Sequence, residues 1–135
     1  MILGFCGAPG SGKTSACAYL RSEFGAVVCE SVEEVPVKAA AAGDRMLAVR
    51  NICTLQDAEY LNRMRGVLIR IERPRCAVDD YTAYDGTYDP AGALYADNLQ
   101  CDLVVPNTSS VDMLQFRLRS CVRLCQKLVD KKYVQ

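Results

Sequence analysis

Apolar positions along this chain fall into two rhythms. Short runs at Ile2–Cys6, Ala26–Cys29, Arg45–Arg50, Val67–Ile71 and Cys101–Val105 read as strands. Between them the spacing turns helical. A first helix is expected from Lys13 to Phe24, ended by Gly25. A turn and a short helix fill Ser31–Ala42, with Pro36 at a first helical position and Gly43 as terminator. Thr54 and Asp57 have capping-box spacing for a helix from Leu55 to about Met64. A last helix, capped by Ser109 or Asp112, runs to about Lys131. Its apolar stripe, Val111, Leu114, Leu118, Cys121, Cys125 and Leu128, steps by threes and fours and is read as core. Arg119, Arg123, Lys127 and Lys131 recur every fourth residue on another face, read as solvated. Strands alternating with helices predict an α/β fold: a five-stranded parallel sheet between two layers of helices.

The turn after the first strand changes the picture. It reads Gly7-Ala8-Pro9-Gly10-Ser11-Gly12-Lys13-Thr14-Ser15. Glycines at those spacings, between a strand and a helix, make a phosphate-binding loop. The backbone can approach an anion closely, and the helix N-terminus adds positive potential. Gly7, Ala8, Gly10, Ser11, Gly12, Lys13, Thr14 and Ser15 are therefore candidate nucleotide contacts. Lys13 would meet the β- and γ-phosphates, and the Thr14 hydroxyl would meet Mg²⁺. ATP and Mg²⁺ are the expected cofactors. In a parallel sheet the ligand sits at the carboxyl ends of the strands, where Glu30 follows the second strand.

Composition narrows the setting. The 135 residues suit one domain, and half of them are apolar. Formal net charge is zero, which argues against nucleic acid or a membrane surface as partner. No apolar run approaches a membrane span, and Met1 leads straight into the first strand, so no targeting segment is expected. Of the eight cysteines, Cys6, Cys29 and Cys101 lie in strand-like runs and Cys17, Cys121 and Cys125 on apolar helix faces. They read as buried, reduced thiols in a cytoplasmic protein. With no histidine and no Cys-x-x-Cys, the chain lacks zinc-ligand spacing. Residues 74–100 differ from the rest, carrying Asp79, Asp80, Asp85, Asp89 and Asp97 beside Tyr81, Tyr84, Tyr88 and Tyr95. They read as a long irregular, lid-like loop with a short helix. The tyrosines either stack on a base or pack on the sheet.

From the loop onward the order of elements resembles the P-loop nucleotide kinases. Ala48-Val49-Arg50, then Asp57-Ala58-Glu59-Tyr60-Leu61, then Gly66 through Arg73-Pro74 look like the phage and bacterial deoxynucleoside monophosphate kinases. They are also similar to dephospho-coenzyme A kinase. Cys101-Asp102-Leu103-Val104-Val105-Pro106-Asn107, with Leu114, resembles the family's final strand and the start of its last helix. The resemblance implies ATP-dependent phosphoryl transfer to a (deoxy)nucleoside monophosphate. It places Arg50 on the monophosphate or transferred phosphoryl group, Arg73 at the root of the lid and Asn107 near the donor base. The alternative for Arg50 and Arg73 is that they are surface cations at strand ends. Ala48 stands where the family has a carboxylate, and Glu30 is the candidate to replace it. Residues 76–100 contain no Lys or Arg. The rival expectation is a nucleotide-binding protein that transfers nothing and acts through a protein partner; a homodimer is left open.

Overall fold

The structure is a computed structural model that describes residues 1–8, 10–73 and 100–133. Among these residues are five strands: β1 (Ile2–Cys6), β2 (Val27–Cys29), β3 (Leu47–Val49), β4 (Val67–Glu72) and β5 (Leu103–Pro106). The described helices are α1 (Lys13–Phe24), α2 (Val35–Ala42), α3 (Leu55–Arg63) and α4 (Val111–Tyr133), with a 3₁₀ turn at Val32–Glu34 leading into α2. The strands form one all-parallel sheet in the order β2-β3-β1-β4-β5. The chain is therefore α/β.

Side chains alternate across each strand, and this alternation divides the core in two. Leu3, Phe5, Ala48, Val67, Ile69 and Ile71 face α1 and α4, meeting Ala16, Cys17, Leu20, Leu114, Leu118, Cys121 and Cys125. Cys6, Leu47, Val49 and Leu68 face the other way, onto Val35, Ala42 and Leu61 of α2 and α3. The sheet is thus covered on both faces, as parallel sheets require.

Local signals explain most element ends. Gly25 closes α1 in the left-handed conformation, its N–H bonded to the Arg21 carbonyl at 3.1 Å. The Thr54 hydroxyl accepts the Asp57 N–H at 3.1 Å and starts α3, a cap that stabilises a helix by about 1 kcal/mol. The reciprocal half of the box is shifted by one residue: Asp57 accepts the N–H of Cys53, not of Thr54.

Several expectations need correcting. Ser110, not Ser109 or Asp112, caps α4, its hydroxyl accepting the Met113 N–H at 3.2 Å. Val111 is 62% exposed; the buried stripe begins at Leu114. The third strand is only Leu47–Val49, the residues in register with β1 and β2. The fifth starts at Leu103, not Cys101, because the Asp102 carboxylate takes the Leu68 N–H at 2.9 Å. Arg119 is not simply solvated: it donates to the Tyr19 hydroxyl at 3.3 Å and pairs with Glu23, joining α4 to α1. The acidic, tyrosine-rich stretch read as a lid, with its short helix and Cys76, lies outside the described residues apart from Gln100. Among the described residues no helix is long and apolar enough to cross a membrane.

None of the seven described cysteines is in a disulfide. Burial pushes the Cys6 thiol up to about 11 and Cys17 up to about 12, each further from thiolate at ordinary pH. The contact with Cys121, together with burial, also raises Cys125. Thiolate is the reactive form, and each unit of upward shift removes about nine-tenths of it below the pKa. Alkylation of the native protein at mildly alkaline pH should therefore label half-buried Cys53 and Cys101 well before Cys6, Cys17 and Cys125. Peptide mass spectrometry over a time course reads this directly. Equal rates at all sites would mean that the core is not packed as described.

Candidate functional site

The loop joining β1 to α1 lies at the carboxyl end of the sheet's central strand. Two glycines let its neighbours close on it. Gly7 has φ +143°, and a Cβ there would lie 2.5 Å from the Ile71 carbonyl oxygen of β4. Gly12 has φ +114°, and a Cβ there would lie 2.6 Å from Asn107 Nδ2. Neither position accepts a side chain without displacing a neighbour. Ala8 shapes the turn, its carbonyl accepting the Ser11 N–H at 3.1 Å. Ser11 is buried, and its hydroxyl has no hydrogen-bond partner among the described residues, which leaves a spare donor in the loop. The N–H groups of the first turn of α1, at Lys13, Thr14 and Ser15, have no intrahelical acceptor and suit an anion.

The sheet order sets what surrounds the loop. β3 and β4 flank β1, so residues that follow them stand on either side of the loop. Arg73, after β4, donates from Nη1 to the Gly10 carbonyl at 3.2 Å. Arg50, after β3, donates from Nη1 to Thr14 Oγ1 at 3.3 Å. Its backbone N–H is held by the Cys29 carbonyl at 2.9 Å, continuing the β2–β3 register. That register sets Glu30 beside Arg50, and the two form an ion pair. Asn107, just beyond β5, donates from Nδ2 to the Ser11 carbonyl at 2.8 Å. Ser15 is exposed on the first turn of α1. The sequence-derived candidates, scattered from Gly7 to Asn107, thus meet at one end of the sheet.

Lys13 is the central charge. Its Nζ donates to the Gly7 carbonyl at 3.0 Å and reaches Asn51 Oδ1 at 3.5 Å. Burial lowers its pKa below the ordinary lysine value, and the positive charge of Arg50 adds to that. Three cations, Lys13, Arg50 and Arg73, therefore surround a loop whose own backbone is arranged for an anion.

Sequence reading missed Asn51. It follows Arg50 directly, holds Lys13 and accepts from Cys53 Sγ at 2.8 Å. The available signal was a polar residue just past the end of a central strand. Arg117 was missed too: it donates to the Pro106 carbonyl at 2.7 Å and to Thr108 at 3.1 Å, steadying the turn that carries Asn107.

Ala48 is wholly buried, level with Leu3 of β1 and Val28 of β2 and turned toward α1. Glu30 offers a carboxylate at this end of β2 and β3 instead. Among the described residues no three His, Cys, Asp or Glu side chains gather to hold a metal. A cation at the loop would draw on the Thr14 hydroxyl, on Glu30, and otherwise on water and phosphate oxygens. That donor set fits Mg²⁺, which keeps most of its waters and takes few protein ligands.

No protein-family model matches the chain, and no curated protein matches it either. What the site can do follows from its own residues. It can cradle a phosphate chain, neutralise charge from three directions and hold one hard cation.

Proposed function

We propose that this chain is a P-loop nucleotide kinase of the three-layer α/β/α kind. It would bind Mg-ATP in the loop Gly7–Thr14 and transfer the terminal phosphoryl group to a (deoxy)nucleoside monophosphate. The observation that carries this reading is the convergence of Lys13, Arg50 and Arg73 on a single glycine-rich loop. Phosphoryl transfer needs positioning and charge neutralisation and little covalent chemistry from the protein. The loop N–H groups and Lys13 would hold the donor phosphates. Arg50 and Arg73, on opposite flanks, would neutralise the group in flight. Asn107 would keep the loop's shape, through the Ser11 carbonyl, as the donor base docks nearby. Bound Mg²⁺ would supply Lewis-acid neutralisation of the phosphate oxygens.

A second reading has its own support. The site's carboxylate, Glu30, is tied to Arg50, and the position that the resemblance reserves for an acid is a packed Ala48. A nucleotide-binding protein working through a partner would tolerate both features. A coupled assay of ADP production against a panel of ribo- and deoxynucleoside monophosphates decides between the two. The expected result is ADP release dependent on one or a few acceptors. Nucleotide binding with no acceptor-dependent turnover would favour the partner-binding reading.

A further inference from the structure

We propose that Thr14 and Glu30 form a divalent-cation site in which the Arg50 guanidinium stands as a built-in counter-cation, exchanged for the metal. The proposal rests on reading the loop as a phosphate site and adds how that site is armed. One guanidinium spans two oxygens from separate elements. Nη1 donates to Thr14 Oγ1 at 3.3 Å, while Nη2 pairs with Glu30 Oε2. A hydroxyl on the first turn of α1 and a carboxylate at a neighbouring strand end are what a hard cation takes beside phosphate. The chain places its own positive group across them.

Chemistry makes the exchange one-for-one. A divalent ion and a guanidinium repel each other and compete for the same Glu30 carboxylate. The existing pair is easily given up, because both side chains are well exposed, 40% for Arg50 and 57% for Glu30, and such pairs are weak. Glu30 can reach the metal directly or through a water, as Mg²⁺ sites commonly allow. The released arginine does not leave the site. Its backbone stays pinned to the Cys29 carbonyl at 2.9 Å, so only the side chain swings. The nearest anion is then the phosphate chain in the loop. Arrival of the metal thus delivers a second cation to the transferring group, and without the metal Arg50 stays on Glu30. Ala48 fits this arrangement: a buried methyl in β3 leaves Glu30 without a competing carboxylate on that strand.

The test is Mn²⁺ binding to the whole chain without nucleotide, read by the electron paramagnetic resonance signal of the free ion. Wild type, Arg50→Ala, Glu30→Gln and the double variant are compared, with circular dichroism confirming the fold of each. Arg50→Ala should bind Mn²⁺ about fivefold more tightly than wild type, the order expected from removing an exposed competitor. Glu30→Gln should bind more weakly than wild type, and the double variant should show none of the gain. Equal affinity in wild type and Arg50→Ala would overturn the proposal. So would a gain that survives Glu30→Gln, or no Mn²⁺ binding by any variant. The outcome is separable from the kinase reading. The predicted pattern in a chain that phosphorylates no acceptor keeps the exchange and discards the kinase. Transfer without the pattern does the reverse.

Discussion

Arg50→Ala and Arg73→Ala should each lower acceptor-dependent phosphoryl transfer about a thousandfold, a barrier increase of about 4 kcal/mol. The expectation comes from where the two guanidinium groups stand. Arg50 meets the loop at Thr14 from the β3 side, and Arg73 meets it at Gly10 from the β4 side. Charge building on a transferring phosphoryl group would be met from both flanks, and neither arginine repeats the contact of the other. ATP affinity should change little, because on the proposed reading Lys13 and the loop backbone would carry donor binding. Steady-state kinetics for turnover, with calorimetry for ATP affinity, separates the two effects. Both variants should fold, since Arg73 is exposed and Arg50 half-exposed at strand ends outside the core. Loss of binding and turnover together would assign the arginines to the donor phosphates. Unchanged turnover in both would remove the kinase reading.

Mg-ATP at a hundredfold excess over its dissociation constant should stabilise the fold by about 2.7 kcal/mol, or roughly 10 °C in melting temperature for a chain of this size. Lys13→Met should abolish most of that gain. The same variant should also raise the stability of the protein alone at neutral pH. Burial holds the folded-state pKa of Lys13 below its ordinary value of 10.5, so the unfolded chain binds that proton more readily. A buried base of this kind destabilises the fold fully below its folded pKa. The penalty disappears as pH rises through the window between the folded pKa and 10.5. The advantage of Lys13→Met should therefore shrink across that window, which urea denaturation at a series of pH values would show. A constant difference would mean that Lys13 is well solvated. No thermal shift with any nucleotide would overturn the reading of the loop.

Much of this arrangement was legible because it is local. α1 occupies the expected residues, since Gly12 and Gly25 bracket it within a single stretch of chain. The strands were found from their apolar runs, and their errors are errors of length, as at Arg45–Arg50 against Leu47–Val49. Strand ends depend on how far a neighbour continues, which the strand's own residues do not encode. The same limit misplaced the α4 cap. Ser109, Ser110 and Asp112 are all competent caps, and the chain's path out of β5 selected Ser110.

The sequence by itself determined the alternation of strands and helices, the glycine-rich loop with Lys13 and Thr14, and the chemical types available at each strand end. Those follow from short-range sterics and from periodicity, which a linear chain displays. Only the tertiary structure decided that β3 and β4 flank β1, and hence that Arg50 and Arg73 meet one loop from two sides. It alone joined Glu30 to Arg50 through the β2–β3 register, set Asn51 against Lys13 and brought Asn107 onto the Ser11 carbonyl across 96 positions of chain. Such partners are chosen by sheet order and packing against a shared core, and those depend on the whole chain at once.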